Sequence, residues 1–390
     1  MTAVRWWGPT GVSTAAMATS MTVLYATSAL APFLVADLGL SRAAVGGLVT
    51  VSFAVAAAVS LLAGHLIDLW GARRGLVALC GAVVAALLGA SVAPSYGWLL
   101  VAVAVAGVGQ ALANPATNVL VAQAVPAERR GMAIGVKQAG VQAAAFACGL
   151  VLPAVAALAG WRVALRVSTV VPLAVVVAVW WWAPASGQRA AVGRWWRLSA
   201  PSGWLAWLVA FSLLLGTGLA AVNTYLPLYA TQRLGLDTGA AGLLLATFGV
   251  TGLLARLWWG RWADRTSDVV VALAWLAAAA VAGVVLVFAA DHRWSGLVWA
   301  GAVVVGGSAT AANAVSMLIV LRRGKALGRA SGLVSLGFFS GFVVGPAAVG
   351  WCADVGGWGM AWLVVAAVFA GTAMLAVRVR SASARELVAA

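Results

Sequence analysis

Apolar runs of 20 or more residues recur along this chain, separated only by short polar punctuation. About 20 apolar residues cross one bilayer as a helix. Inside a bilayer every backbone N–H and C=O must be satisfied within the protein, which leaves helices or closed barrels. A barrel would show segments of about 10 residues alternating apolar and polar, and these runs do not alternate. Composition agrees: 64% of the 390 residues are hydrophobic and 8% are charged, against roughly 25% charged in ordinary soluble domains. So few charges cannot solvate the surface of a globule this size. The expected fold class is an all-α integral membrane protein.

Apolar runs set against polar breaks give twelve transmembrane helices, near 11–35, 45–67, 75–93, 97–121, 131–158, 162–183, 204–230, 240–260, 269–290, 296–320, 328–352 and 358–378. The net charge of +15 would suggest nucleic acid in a soluble protein. Here it reads as the basic bias of cytoplasmic loops, so no nucleic-acid partner is expected. With both termini in the cytoplasm, 19 Lys and Arg fall inside and 5 outside. That split supports both termini inside and the count of twelve; a plasma-membrane location is expected. Cys80, Cys148 and Cys352 lie in apolar runs without metal or pairing spacing and read as small core residues. Most of the 21 Trp fall at span ends, where tryptophan anchors helices.

The chain repeats itself at about half its length. DLGLSRAAVGGL at 37–48 aligns with RLGLDTGAAGLL at 233–244, an offset of 196. Gly64 and Asp68 map onto Gly260 and Asp264 at the same offset. Gly107 and Asn114 map onto Gly306 and Asn313 at 199, and Gly135 and Gly140 onto Gly332 and Gly337 at 197. The expected organisation is a six-helix half over 1–184, a basic cytoplasmic linker over 185–203 and a second, pseudo-symmetric six-helix half over 204–390. Two parallel six-span halves place a site at their interface near the bilayer midplane, exposed to each side in turn by rocking.

Between spans 2 and 3 stands Gly64-His65-Leu66-Ile67-Asp68-Leu69-Trp70-Gly71-Ala72-Arg73-Arg74, with a degenerate copy at Gly260-Arg261-Trp262-Ala263-Asp264-Arg265. With the repeat, this loop signature resembles the major facilitator superfamily of secondary transporters over essentially the whole chain. The resemblance implies a conformational latch of Gly64, Asp68, Gly71, Arg73 and Arg74, with Gly260, Asp264 and Arg265 as its second copy. Asp68 ends span 2, where the helix dipole disfavours a negative charge, so it needs a partner. The resemblance places that partner at the start of span 11, near Gly328 and Arg329. Local pairing with Arg73 or Arg74 is the alternative. Gly64 and Gly260 are expected to let helices approach closely.

Polar groups inside spans are functional candidates by default. All nine acids fall in loops, span ends or the tail, so no midplane carboxylate is available as a proton carrier. Lys137 sits about 12 Å into span 5 at 1.5 Å per residue. A charge near the bilayer centre costs roughly 2.5–3.5 kcal/mol on the insertion scale. That cost suggests an anionic substrate or a polar network, with snorkelling to the interface as the bland alternative. Gln138 and Gln142 lie beside it. Gln110, Asn114 and Asn118 in span 4 share one helix face. Asn313 and Ser316 in span 10, Tyr25 and Ser28 in span 1, and Asn223, Tyr225 and Tyr229 in span 7 complete the expected cavity lining. In the superfamily, spans 1, 4, 7 and 10 line the central cavity; interhelical hydrogen bonding is the competing role.

The sequence departs from the superfamily's antiporters. Val103 stands where an arginine precedes the span-4 glycine by four residues, and span 5 lacks their glycine-proline motif. The leading expectation is secondary active transport of a small organic solute, anionic or neutral polar, by alternating access. Efflux of drug-like lipophilic compounds by proton antiport is the alternative. An intramembrane enzyme would need paired acids, a His cluster or an activated nucleophile, and none is found. No phosphate-binding loop or metal-ligand spacing occurs, so no cofactor or metal is expected. The expected partners are a small-molecule substrate, a coupling ion such as the proton, and lipid, with the chain a monomer.

Overall fold

The computed structural model describes residues 6–184, 203–264, 269–323 and 327–389. Most of the described residues are helical, and none of them is in a strand. In chain order the helices are α1 (Trp7–Ala29), α2 (Ala31–Leu38), α3 (Arg42–Ser91), α4 (Tyr96–Ala124), α5 (Arg130–Ala159) and α6 (Trp161–Val167). They continue as α7 (Val170–Trp182), α8 (Gly203–Gln232), α9 (Thr238–Asp264), α10 (Val270–Ala289), α11 (Leu297–Arg323) and α12 (Leu327–Ala389).

Two long helices are each two spans joined at a glycine. α3 breaks at Gly71 (φ 80°, ψ 168°) and α12 at Gly357 (φ 73°, ψ −177°). These backbone angles strain any residue with a Cβ, so glycine holds both turns. Conversely, α1 and α2 are one span bent by 56°, with Pro32 in the first turn of α2. α6 and α7 form another, interrupted at Ser168 and Thr169, whose hydroxyls donate to Ala164 O and Arg166 O. Split and joined in this way, the helices match the twelve expected spans.

Hydroxyls that would be costly in lipid are spent on the helices themselves. Thr10, Thr14, Thr22 and Thr27 each donate to the carbonyl four residues back, the local bond that Ser and Thr favour in apolar surroundings. The outer faces are apolar: Leu158 is 89% and Trp181 81% exposed, as lipid contact requires.

The chain divides into two compact units, Met1–Leu40 with Val51–Leu198, and Ser41–Thr50 with Ser199–Ala390. In the first, α5 packs along α1 and α4. A Cβ on Gly140 would strike the Thr14 carbonyl, so glycine sets how closely α5 can lie against α1. In the second, α12 packs along α8, and Gly337 stands in the same relation to the Val209 carbonyl. Gly64 does not have the expected close neighbour: nothing lies within 4 Å of where its Cβ would be.

Ser41–Thr50 is assigned to the second unit, although sequence order places it well inside 1–184. The reason lies at the N-terminus of α3. A helix begins with unsatisfied N–H groups, and here Arg42 N and Ala43 N donate to the two carboxylate oxygens of Asp354 (3.1 and 2.9 Å). Arg42 also donates to Ala353 O and Gln232 Oε1 and lies over the Trp358 ring. Thr50 donates to Val343 O.

Candidate functional site

The densest polar cluster in the first unit lies where α4 meets α5. Lys137 is 1% exposed. Its Nζ donates to Thr117 Oγ1 at 2.9 Å and to Asn118 Oδ1 at 2.5 Å. Thr117 passes its own proton to Ala113 O at 2.6 Å, which fixes its oxygen as an acceptor for the amine. The side chain therefore turns inward across α4 and does not snorkel. The ion pairs found among the described residues are Arg162–Asp37 and Arg233–Asp291; neither involves Lys137.

Around this amine stand the other expected amides. Gln138 Nε2 donates to Asn114 Oδ1 at 3.3 Å, bridging α5 to α4. Gln110 Nε2 faces Met21 Sδ at 3.3 Å, and Met17 Sδ lies 3.8 Å from the Thr117 hydroxyl. Gln142 is 2% exposed, and its Oε1 has no hydrogen-bond partner. Tyr25 and Ser28 are buried on α1. Thr117 was missing from the expected set. Its signal was present in the sequence: it precedes Asn118, and span 5 supplies a lysine that needs acceptors.

The second unit holds a sparser set. Asn313 on α11 is half-buried, and its Oδ1 is without a partner. Ser316 donates to Asn313 O, so its hydroxyl is occupied locally. Asn223 is buried on α8. Tyr225 and Tyr229 are not the cavity walls expected of them; both are fully buried in helix packing. The Tyr225 hydroxyl lies 2.6 Å from Pro346 O and 3.0 Å from Arg42 O, and that of Tyr229 donates to Val287 O at 3.0 Å. Their rings meet Trp358 edge-on, and Tyr229 also meets Trp362. A phenol that must bury its ring satisfies its hydroxyl on a carbonyl, which removes it from solute binding.

The latch residues resolve in part. Asp68 is exposed and is in neither ion pair found among the described residues. Local pairing with Arg73 does not form, because Arg73 is engaged elsewhere. It donates to Trp180 O and Ala183 O and stacks on the Trp180 ring. A cation at the C-terminal end of α7 meets the negative end of its dipole. Arg74 is exposed. Of Gly260 and Asp264 only the helical backbone is described, and Arg265 lies outside the described residues, as do the side chains around Gly328 and Arg329.

Two other polar places stand apart from the amide stripes. Asp37 accepts from Arg162 and the Trp161 indole at 2.7 and 3.0 Å, and these donors hold its carboxyl below the usual carboxylate range. A cavity of about 400 Å³ is lined by Arg42, Arg233, Asp291, His292 and Trp358 among others. It is far in sequence and chemistry from the amide stripes. Arg233 is already paired with Asp291, and Arg42 is bound to Gln232 and Ala353. In the Lys137 cluster, by contrast, the lysine and Gln142 are buried and the Gln142 Oε1 has no hydrogen-bond partner.

No curated protein matches the chain. Among solved structures, the crystal structure of a mutant of the nucleoside transporter NupG shares the fold with a TM-score of 0.78. It is 14% identical, over 96% of this chain and 99% of that one. The sequence profile of the Major Facilitator Superfamily matches residues 12–239 and 206–389. This multi-pass helical chain belongs to the Major Facilitator Superfamily and is a membrane transporter, not an enzyme.

Proposed function

We propose that the chain is a secondary transporter that moves a small organic anion across the plasma membrane by alternating access, with both termini cytoplasmic. One observation carries this reading. Lys137 is buried in a membrane-spanning helix with hydroxyl and amide acceptors, and it is in neither ion pair found among the described residues. A cation so placed is expensive and is repaid by a ligand that brings the missing charge. An ammonium offers three donors, and two are spent on Thr117 and Asn118. The third is left for a carboxylate or a similar anionic group. Gln138, Asn114 and the unpartnered Gln142 oxygen can then recognise hydroxyl or amide groups on the rest of the solute.

The 19 to 5 distribution of basic residues supports the orientation, as cytoplasmic loops hold the excess of Lys and Arg. Asp68, exposed at the end of the first half of α3, is free to act as one side of a cytoplasmic latch.

The test is a thermal-stability screen of detergent-purified protein against organic anions, neutral polar metabolites including nucleosides, and lipophilic cations. Lys137→Ala and Lys137→Met are run alongside. Stabilisation by an anion that disappears in both variants supports the reading. Stabilisation by nucleosides or lipophilic compounds that survives in both variants replaces it.

A further inference from the structure

We infer that Lys137 is also the proton carrier: its amine is charged when an anion is bound and neutral when the site is empty. The inference rests on the anion reading above and adds the coupling ion and its ratio to it.

The sequence supplies no other carrier in the membrane. Every one of the nine acids lies in a loop, at a span end or in the tail; His65 lies in α3 near the Gly71 turn, and His292 lies just past α10. The elements packed against α5 are α1, α4, α6 and the turn Ala127–Arg129. α1 brings Tyr25 as its titratable group and α4 brings Tyr96, at its first residue. α6 brings Arg162 and Arg166, engaged with Asp37 and Ser91. The turn brings Glu128 and Arg129, both exposed. On α5 itself stand Arg130, which donates to Val125 O and Ala122 O, and buried Cys148. None of these groups puts a carboxylate against the Lys137 amine.

A transporter must return its empty site across the bilayer. With an anion bound, the ammonium and the anion cancel, and the loaded site is neutral. After the anion leaves, a retained proton would leave a bare cation among Thr117, Asn118 and apolar neighbours. Losing that proton to the same side makes the empty site neutral too. Each turnover then moves one proton and one monoanion together, without net charge. The proton joins the amine lone pair on the loading side and departs as the anion departs on the other. Asn118, the second acceptor of the amine, is exposed, so the proton has a short way in and out.

The chain has only two lysines, Lys137 and Lys325, which makes the test direct. Protein grown with lysine carrying ¹³C at Cε gives two side-chain signals, assigned with Lys325→Arg. Without added anion, the Lys137 signal is expected to report the neutral amine at pH 8, where an ordinary lysine is about 99% charged. A cationic signal at pH 8 in the empty protein overturns the inference and leaves the anion reading standing. The second arm uses gluconate, a monocarboxylate too polar to cross lipid unaided, in proteoliposomes. Wild type should accumulate it with an acid exterior, regardless of membrane potential. In Lys137→Arg, which cannot deprotonate, the ratio of net gluconate uptake to gluconate exchange should fall at least 10-fold below that of wild type. An unchanged ratio in this variant overturns the inference. If gluconate neither stabilises the wild type nor recharges a neutral Lys137, the anion reading itself fails and takes the coupling with it.

Discussion

The α4–α5 pair and its internal repeat, α11 with the first part of α12, share a frame but not a chemistry. At the repeat offsets, Asn114 corresponds to Asn313, Thr117 to Ser316 and Gly140 to Gly337. Both glycines admit a backbone carbonyl of the partner helix, Thr14 in one case and Val209 in the other. These two carbonyls are themselves repeat equivalents at an offset of 195. The same offsets set Lys137 against Val334 and Gln142 against Phe339. Val334 is fully buried, as an apolar residue should be where its counterpart is a lysine that needs two acceptors. Helix packing has been kept in both halves, whereas the charge exists in one. What is shared is therefore the scaffold of a transporter, and what differs points to its solute.

The strongest way to break the shared part is at the glycines. Gly140→Leu and Gly337→Leu should each abolish folded protein, because the new side chain meets backbone and not a flexible neighbour. Monodisperse elution of either variant on size-exclusion chromatography would contradict the close packing described. The unshared part is tested by copying the charge. Val334→Lys places an ammonium at a fully buried position and should cost roughly 2.5–3.5 kcal/mol. An unfolding midpoint equal to wild type would show that the second half tolerates the charge as well as the first.

Smaller effects refine the comparison within the polar stripes. Asn118→Ala removes one of two acceptors from the buried Lys137 amine and should cost about 1–3 kcal/mol. Asn313→Ala removes an amide whose Oδ1 has no partner and should stay within about 0.5 kcal/mol. If denaturation ranks the two the other way, the weight given to the first half is misplaced. The smallest effect lies outside both stripes, at Asp37. Its carboxyl is held below the ordinary value by Arg162 and Trp161. A depressed carboxylate contributes stability above its unfolded value near about pH 3.9 and loses it as pH falls through the lower, folded value. The Tm difference between wild type and Asp37→Asn should thus be present at pH 7 and shrink below about pH 4. A difference that grows on acidification would refute the ion pair.

The fold was legible because membrane helices must be both long and apolar, and because the half-chain repeat shows directly in matched residues such as Asp68 and Asp264. Two features hid the details. The helices run on through the expected loops until a glycine with positive φ, Gly71 or Gly357, turns the chain; Gly71 stood out in the loop signature, but nothing marked Gly357 as the turn. Bends at Leu30 and at Ser168–Thr169 split single spans, and neither interrupts its apolar run for long enough to read as a loop. In the site, Lys137 and the span-4 amides stood out because charge and amide groups are rare in lipid. The tyrosines misled, since a helical position next to an asparagine does not say whether a phenol faces a cavity or a neighbouring carbonyl. The tie between Asp354 and the start of α3 joins residues 312 apart, and no local pattern announces such a contact.

The central claim, that Lys137 makes this transporter a carrier of organic anions, is tested most directly by counterflow. Proteoliposomes are loaded with unlabelled gluconate and given a trace of labelled gluconate outside, with no ion gradient. Wild type and Asn313→Ala should show a transient, saturable overshoot of label, and Lys137→Met should show none while eluting as a folded monodisperse protein. An undiminished overshoot in Lys137→Met would contradict the claim.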